Sequence, residues 1–220
     1  MNRRIITAGI ALIALGSIVL TARAQSERVV KAQGYVSVDA IRRSDKFKVA
    51  VSLHIEDGYH INGHVPSEDD LIATKVTLGG APGVQFGEPV YPAAVERSFE
   101  FSPNKKLAVY EGTVTVTADG EAGPDTGVGT GVIKAQIQVQ SCNNSQCLAP
   151  ATIDLDIPVK VVSAGTAINP ANQNIFSAAD SAAAAVATAP QSAPTSCRRI
   201  WPEPAPVGRA SLPAIPLPLQ

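Results

Sequence analysis

Between Lys46 and Ile55 apolar and polar residues alternate without a break. Phe47, Val49, Val51, Leu53 and Ile55 fall on one side, and Lys46, Lys48, Ala50, Ser52 and His54 on the other. A period of two is that of a strand with one buried face, and it predicts that His54 points away from the core. The same period recurs over Val29–Ala40, Thr74–Leu78, Val109–Thr117, Val132–Ser141 and Ile153–Val161, with clusters of Gly, Pro, Asn and Asp between. No helical period of comparable length competes. Residues Asp119 to Gly131, rich in Gly and polar side chains, read as one long loop or hairpin tip.

Many short strands, each apolar on one face, predict an all-β chain built as an immunoglobulin-like β-sandwich rather than an α/β fold. The 220 residues, 45% hydrophobic and 17% charged, suit one modest domain with flanking segments. The pattern bounds that domain at residues 25–163. Ahead of it, Asn2-Arg3-Arg4, an uncharged apolar run from Ile5 to Leu20 and Ala22-Arg23-Ala24 have the order of an export signal peptide over residues 1–24, cleaved after Ala24. The run is short for a bilayer core of about 30 Å. The expected product is therefore exported and soluble. Beyond it, residues 166 to 220 carry nine of the 17 prolines and the alanine run Ala182–Ala185. Residues 164–220 read as an Ala/Pro-rich, disordered tail, with alanine alone able to support no more than a marginal helix near Ala178–Thr188.

Charge narrows the function classes. The whole chain has 18 basic and 19 acidic residues, and loss of residues 1–24 would leave 15 against 19, a formal charge of −4. Such a balance offers no grip on a phosphate backbone, so nucleic acid is not an expected partner. No phosphate-cradling Gly-Lys loop, dinucleotide fingerprint or Ser-His-Asp order stands out, and no cofactor is expected.

The informative motif is Cys142-Asn143-Asn144-Ser145-Gln146-Cys147, placed where one predicted strand ends and the next begins. Four residues containing Asn and Ser can turn the chain back and bring two sulfurs within bonding reach. As a staple, so short a loop removes roughly 2 kcal/mol of unfolded-state entropy, against about 4.7 for a loop of about 100 residues. Exchange chemistry needs a thiolate that attacks a disulfide and a second thiol nearby to resolve the intermediate. Spacing alone leaves the redox and structural roles equally open. The histidines of Gly58-Tyr59-His60-Ile61-Asn62-Gly63-His64 add a nominal Cys2His2 set with Cys142 and Cys147, but Gly58, Asn62, Gly63 and Pro66 work against the helix that would align an i, i+4 pair. No metal is expected, and both histidines read as loop polarity. The third cysteine, Cys197, lies in the tail and reads as an incidental thiol.

Taken in order, Gly58-Tyr59-His60-Ile61-Asn62, Thr74-Lys75-Val76, Tyr91-Pro92, Val109-Tyr110-Glu111-Gly112, Gln140-Ser141-Cys142 and Cys147-Leu148-Ala149-Pro150 make the chain resemble the N-terminal periplasmic domain of the thiol:disulfide interchange protein DsbD family. The resemblance spans most of residues 26–162. It implies a reversible Cys142–Cys147 disulfide that relays reducing equivalents to periplasmic thioredoxin-fold proteins, such as disulfide isomerases and cytochrome-maturation thioredoxins. Such a module is a protein-disulfide reductase in the electron-transfer sense. It further implies Cys147 as the attacking sulfur with Cys142 resolving, and an aromatic cap, best matched by Phe101 and next by Phe99, with Tyr59 and His60 on the partner-facing side. The membrane electron conductor and thioredoxin-like domain of full-length DsbD have no counterpart in these residues. The resemblance then implies either a relay reduced in trans by a membrane electron conductor or a truncated or frameshifted form. The alternative class is a non-catalytic secreted β-sandwich adaptor with a structural disulfide.

Overall fold

In the computed structural model, which describes residues 25–188, twelve strands form three four-stranded sheets. The first sheet runs β1 (Val30–Val36), β3 (Lys46–Ile55), β9 (Thr113–Ala122), β6 (Val84–Phe86), all antiparallel. The second runs β2 (Ile41–Arg42), β12 (Ala151–Val162), β10 (Gly129–Val139), β5 (Lys75–Gly79), with β2 parallel to β12. The third runs β11 (Ser141–Cys142), β4 (His60–Asn62), β8 (Ser102–Tyr110), β7 (Val95–Phe99).

The alternation read from sequence is the alternation that folds. Phe47, Val49, Val51, Leu53 and Ile55 are buried, His54 is exposed, and β10 alternates just as strictly with Ile133, Ala135, Ile137 and Val139 inside. These inner faces join in one apolar cluster with Val114, Val116, Ile157 and Val161, giving the immunoglobulin-like sandwich. Burial of this kind, at about 25 cal/mol per Å2, is the main favourable term of the fold.

Three expectations need correction. The strand expected at Val109–Thr117 is the end of β8 and the start of β9, divided by a turn at Glu111-Gly112. Gly112 there has φ +63°, a conformation that side chains with a Cβ avoid. The long loop expected over Asp119–Gly131 shrinks to residues 123–128, because β9 runs on to Ala122 and β10 begins at Gly129. Gly120 is a strand residue: a Cβ there would lie 2.6 Å from Cζ of Phe47, so its absence lets the aromatic ring lie against the backbone.

The first part of the tail, residues 164–188, is the third, and the rest of the expected tail, residues 189–220, lies outside the described residues. Residues 163–172 are stitched to the sandwich: Asn169 donates from its backbone N–H and side chain to the Asp39 carboxylate at 2.9 and 2.7 Å, and Ala171 N–H donates to Ser37 O at 2.8 Å. The helix Gln173–Thr188 follows, entered through Asn172, which has φ +53° and donates from its side chain to Val36 O at 2.8 Å. Phe176 and Ala179 are buried, and Lys48 on the outer face of β3 pairs with Asp180 at 2.9 Å. The helix thus lies over the outer face of the first sheet, against β9 and reaching β3 through Lys48, and Ala50 of β3 is fully buried. Docking supplies what an isolated alanine helix lacks. The signal peptide expected at residues 1–24 and Cys197 lie outside the described residues. Among those described, no helix is long and apolar enough to cross a membrane.

Candidate functional site

The third sheet is small, and β10 delivers the chain into it: one residue after Val139 leaves the sandwich, Ser141–Cys142 pairs with Ile61 and His60 of β4. Gln140 secures the corner, its Oε1 accepting from Asn62 Nδ2 and from Ile72 N–H, both at 3.1 Å. Thr74 Oγ1 donates to Asn62 O at 2.6 Å. Ser26, at the N-terminal end of the described chain, accepts from Ser141 N–H at 3.3 Å and donates to Ala149 O at 2.6 Å. The two ends of the cysteine segment are therefore anchored by one hydroxyl.

Between them Cys142 and Cys147 are joined as a disulfide, with Cα atoms 3.9 Å apart. Asn143 makes the turn. Its side-chain Oδ1 accepts from Ser145 N–H at 3.0 Å, Ser145 Oγ at 3.1 Å and Gln146 N–H at 2.9 Å, and its own N–H donates to Gln146 O at 2.9 Å. Cys142 has no exposed surface, whereas Cys147 is an exposed residue of the turn.

His60 is not loop polarity; it is a buried strand residue, 3% exposed. Its ring stacks on Phe99 at 4.0 Å, and Phe99 stacks on Phe101 at 5.4 Å. The row of rings runs outward from the strand beside Cys142 to the tip of the β7–β8 hairpin, where Phe101 is 37% exposed. Phe99, not Phe101, is the ring against His60. Burial holds the His60 imidazole down to about 4, with nearby Glu111 acting in the opposite sense. His60 Nε2, Asn62 Oδ1 and Ser141 Oγ are buried without a hydrogen-bond partner, and all three belong to β4 and β11. Orphaned polar groups are scarce in folded proteins, and a cluster of them calls for a functional account.

Beside the turn lies a cleft of about 210 Å3 lined by Glu56, Asp57, Tyr59, His60, Phe99, Glu111 and Asn144. Arg97 pairs with Glu111 at 3.0 Å. Tyr59 is half-buried at its wall. His64 leaves the site: it stacks on Tyr91 at 3.8 Å, and its Nδ1 lies 3.1 Å from Thr74 O. Among the described residues no three His, Cys, Asp or Glu side chains gather in metal-holding geometry. Sequence reading reached Cys142, Cys147, Tyr59, His60, Phe99 and Phe101. It missed Ser26 and Arg97, which act through contacts between distant segments, and it gave no part to Asn62, Gln140 and Glu111 although they sit in quoted motifs.

Residues 26–157 match the family described as thiol:disulfide interchange protein DsbD, N-terminal. No curated protein matches. Among solved structures, the reduced DsbD N-terminal domain of Neisseria meningitidis is similar at 19% identity and a TM-score of 0.38, over 66% of this chain and 91% of that one. The N-terminal periplasmic domain of ScsB from Proteus mirabilis is similar at 11% identity and a TM-score of 0.44, over 70% of this chain and 53% of that one.

Proposed function

Because the chain belongs to the family of the N-terminal domain of thiol:disulfide interchange protein DsbD, we propose that it is a periplasmic relay passing electron pairs through Cys142 and Cys147 to thioredoxin-fold partners. The observation that carries the reading is the unequal exposure of the two cysteine residues across a hydrogen-bonded turn. In discharge, the Cys147 thiolate attacks the partner's disulfide and one partner sulfur leaves as a thiolate. Cys142 then attacks Cys147 Sγ, closes the internal disulfide and releases the second partner sulfur. Two electrons leave the chain and the partner becomes a dithiol. In recharging, a donor thiolate attacks Cys147 Sγ, Cys142 leaves, and the donor's second thiol completes the exchange. That donor is a membrane electron conductor supplied in trans.

The ring row of His60, Phe99 and Phe101 would cover the disulfide's flank against small oxidants and yield to a protein that docks at the hairpin tip, with Tyr59 in the wall of the docking cleft. The basic start and apolar run of residues 1–24 support export. The test uses a Cys142→Ser variant incubated with oxidised thioredoxin. A mixed disulfide through Cys147 is expected, and none from Cys147→Ser. A reduction potential well below about −300 mV with no trapped complex would mark a structural staple instead.

A further inference from the structure

The exchange as written uses two sulfurs and leaves the imidazole beside them idle. His60 stands directly opposite Cys142 in the β4–β11 ladder. Residues so paired project from the same side of an antiparallel ladder, with Cβ atoms about 4.5–5.5 Å apart. The His60 ring is fixed by the Phe99 stack, and its Nε2 is buried with nothing to bond. Of the three orphaned atoms in this sheet, the Ser141 hydroxyl and the Asn62 carbonyl are not bases, and the imidazole nitrogen is.

We propose that His60 accepts the proton of Cys142 as that thiol resolves the mixed disulfide on Cys147, a role that rests on the interchange reading above. Cys142 Sγ–H passes its proton to His60 Nε2, and the sulfur's electron pair forms the bond to Cys147 Sγ. The bond between Cys147 and the partner breaks, the partner sulfur departs with that electron pair, and it takes a proton from the imidazolium or from water. The chain's two sulfurs are oxidised and the partner's two are reduced, with no further reagent.

The surroundings suit a base that is free until it is needed. Burial lowers the His60 titration to about 4, so the ring rests neutral and holds the proton only while the thiolate forming next to it offsets that cost. The charged groups facing it are Glu111 at the β8–β9 turn, itself tied to Arg97 of β7, and Glu56 and Asp57 from the β3–β4 turn. The cysteine turn contributes to the cleft only the uncharged Asn144. No cationic side chain is among the residues that line the cleft.

The reduced chain, with the third thiol removed by Cys197→Ser, is mixed with dithionitrobenzoate, an aromatic disulfide that releases a coloured thiolate. Cys147 releases the first equivalent, and Cys142 releases the second by resolving the adduct. His60→Phe keeps a ring in the stack and removes the base, while His60→Gln keeps polarity without basicity. In both, the second release is expected to slow relative to the first by about tenfold or more. In the unsubstituted chain, the Nε2 nitrogen resonance is expected to move on reduction of the disulfide as it gains the Cys142 thiol as a donor. A second-to-first ratio unchanged in both variants, or an Nε2 resonance that ignores reduction, would overturn the proposal and leave interchange standing. Failure of Cys147 to release any thiolate would overturn the interchange reading itself.

Discussion

The sandwich and the small third sheet follow opposite rules about what they bury. In β3, β9 and β10 the inner faces are entirely apolar or glycine, and polar residues point outward. In and around β4 and β11 the chain buries His60, Asn62, Ser141, Thr74 and Ser26, five of the six buried polar residues among those described. Three of these leave an atom without a partner. A buried orphan costs about 1–3 kcal/mol, so the sandwich supplies stability that the small sheet gives up. The difference separates scaffold from site without reference to any relative.

That separation can be broken or sharpened by experiment. Cys147→Ser should abolish exchange with oxidised thioredoxin while the far-ultraviolet circular dichroism of the sandwich persists; retained exchange would move the chemistry to the buried sulfur. Leu53→Ala, at the centre of β3 and fully buried, should cost about 2–5 kcal/mol in urea unfolding and leave exchange kinetics of the folded fraction unaltered. A coupled loss of both would show that the two regions are one unit.

The depressed titration of His60, about 4 against 6.5 for an exposed imidazole, gives a third test. Between those values the unfolded chain binds the extra proton, so stability rises with pH through this window and is fully present above about pH 6.5. The contribution is on the order of 3 kcal/mol, is lost as the pH falls toward 4, and should flatten in His60→Phe when urea midpoints are compared across pH. Phe176→Ala should cost about 2 kcal/mol and release the C-terminal helix, read as faster amide exchange over residues 173–182 with the cysteine turn unaffected. Asn143→Ala removes three hydrogen bonds of the turn. It should lower stability by only about 1 kcal/mol while raising the rate at which small thiols open the disulfide.

What the sequence disclosed divides along the same line. Strands of the sandwich were legible because a two-sided sheet over one core imposes period two on the chain, as in Phe47–Ile55 and Ile133–Val139. The turn at Glu111-Gly112 was hidden because Val109 and Val114 flank it with the apolar residues of two different strands. Gly120 misled for a definite reason: glycine signals a loop by frequency, yet here it makes room for Phe47. The helix at Gln173–Thr188 depends on finding a sheet face about 50 residues or more away in sequence, which local propensity does not register. At the site, the cysteine turn was visible as a motif. The burial of His60 was not, since a three-residue strand has too few positions to show a period and the cover over it comes from the β7–β8 hairpin.

A pair with one sulfur at the surface and one sealed inside has a single terminal. If Cys147 is the point of contact for both donor and acceptor, the two queue for the same atom and neither can be served while the other is bound. Throughput would then peak at intermediate acceptor concentration and fall when acceptor is in excess, because an occupied terminal cannot be recharged. On the proposed relay, the same arrangement would keep donor and acceptor from exchanging electrons directly across the chain, and each pair delivered would first be stored.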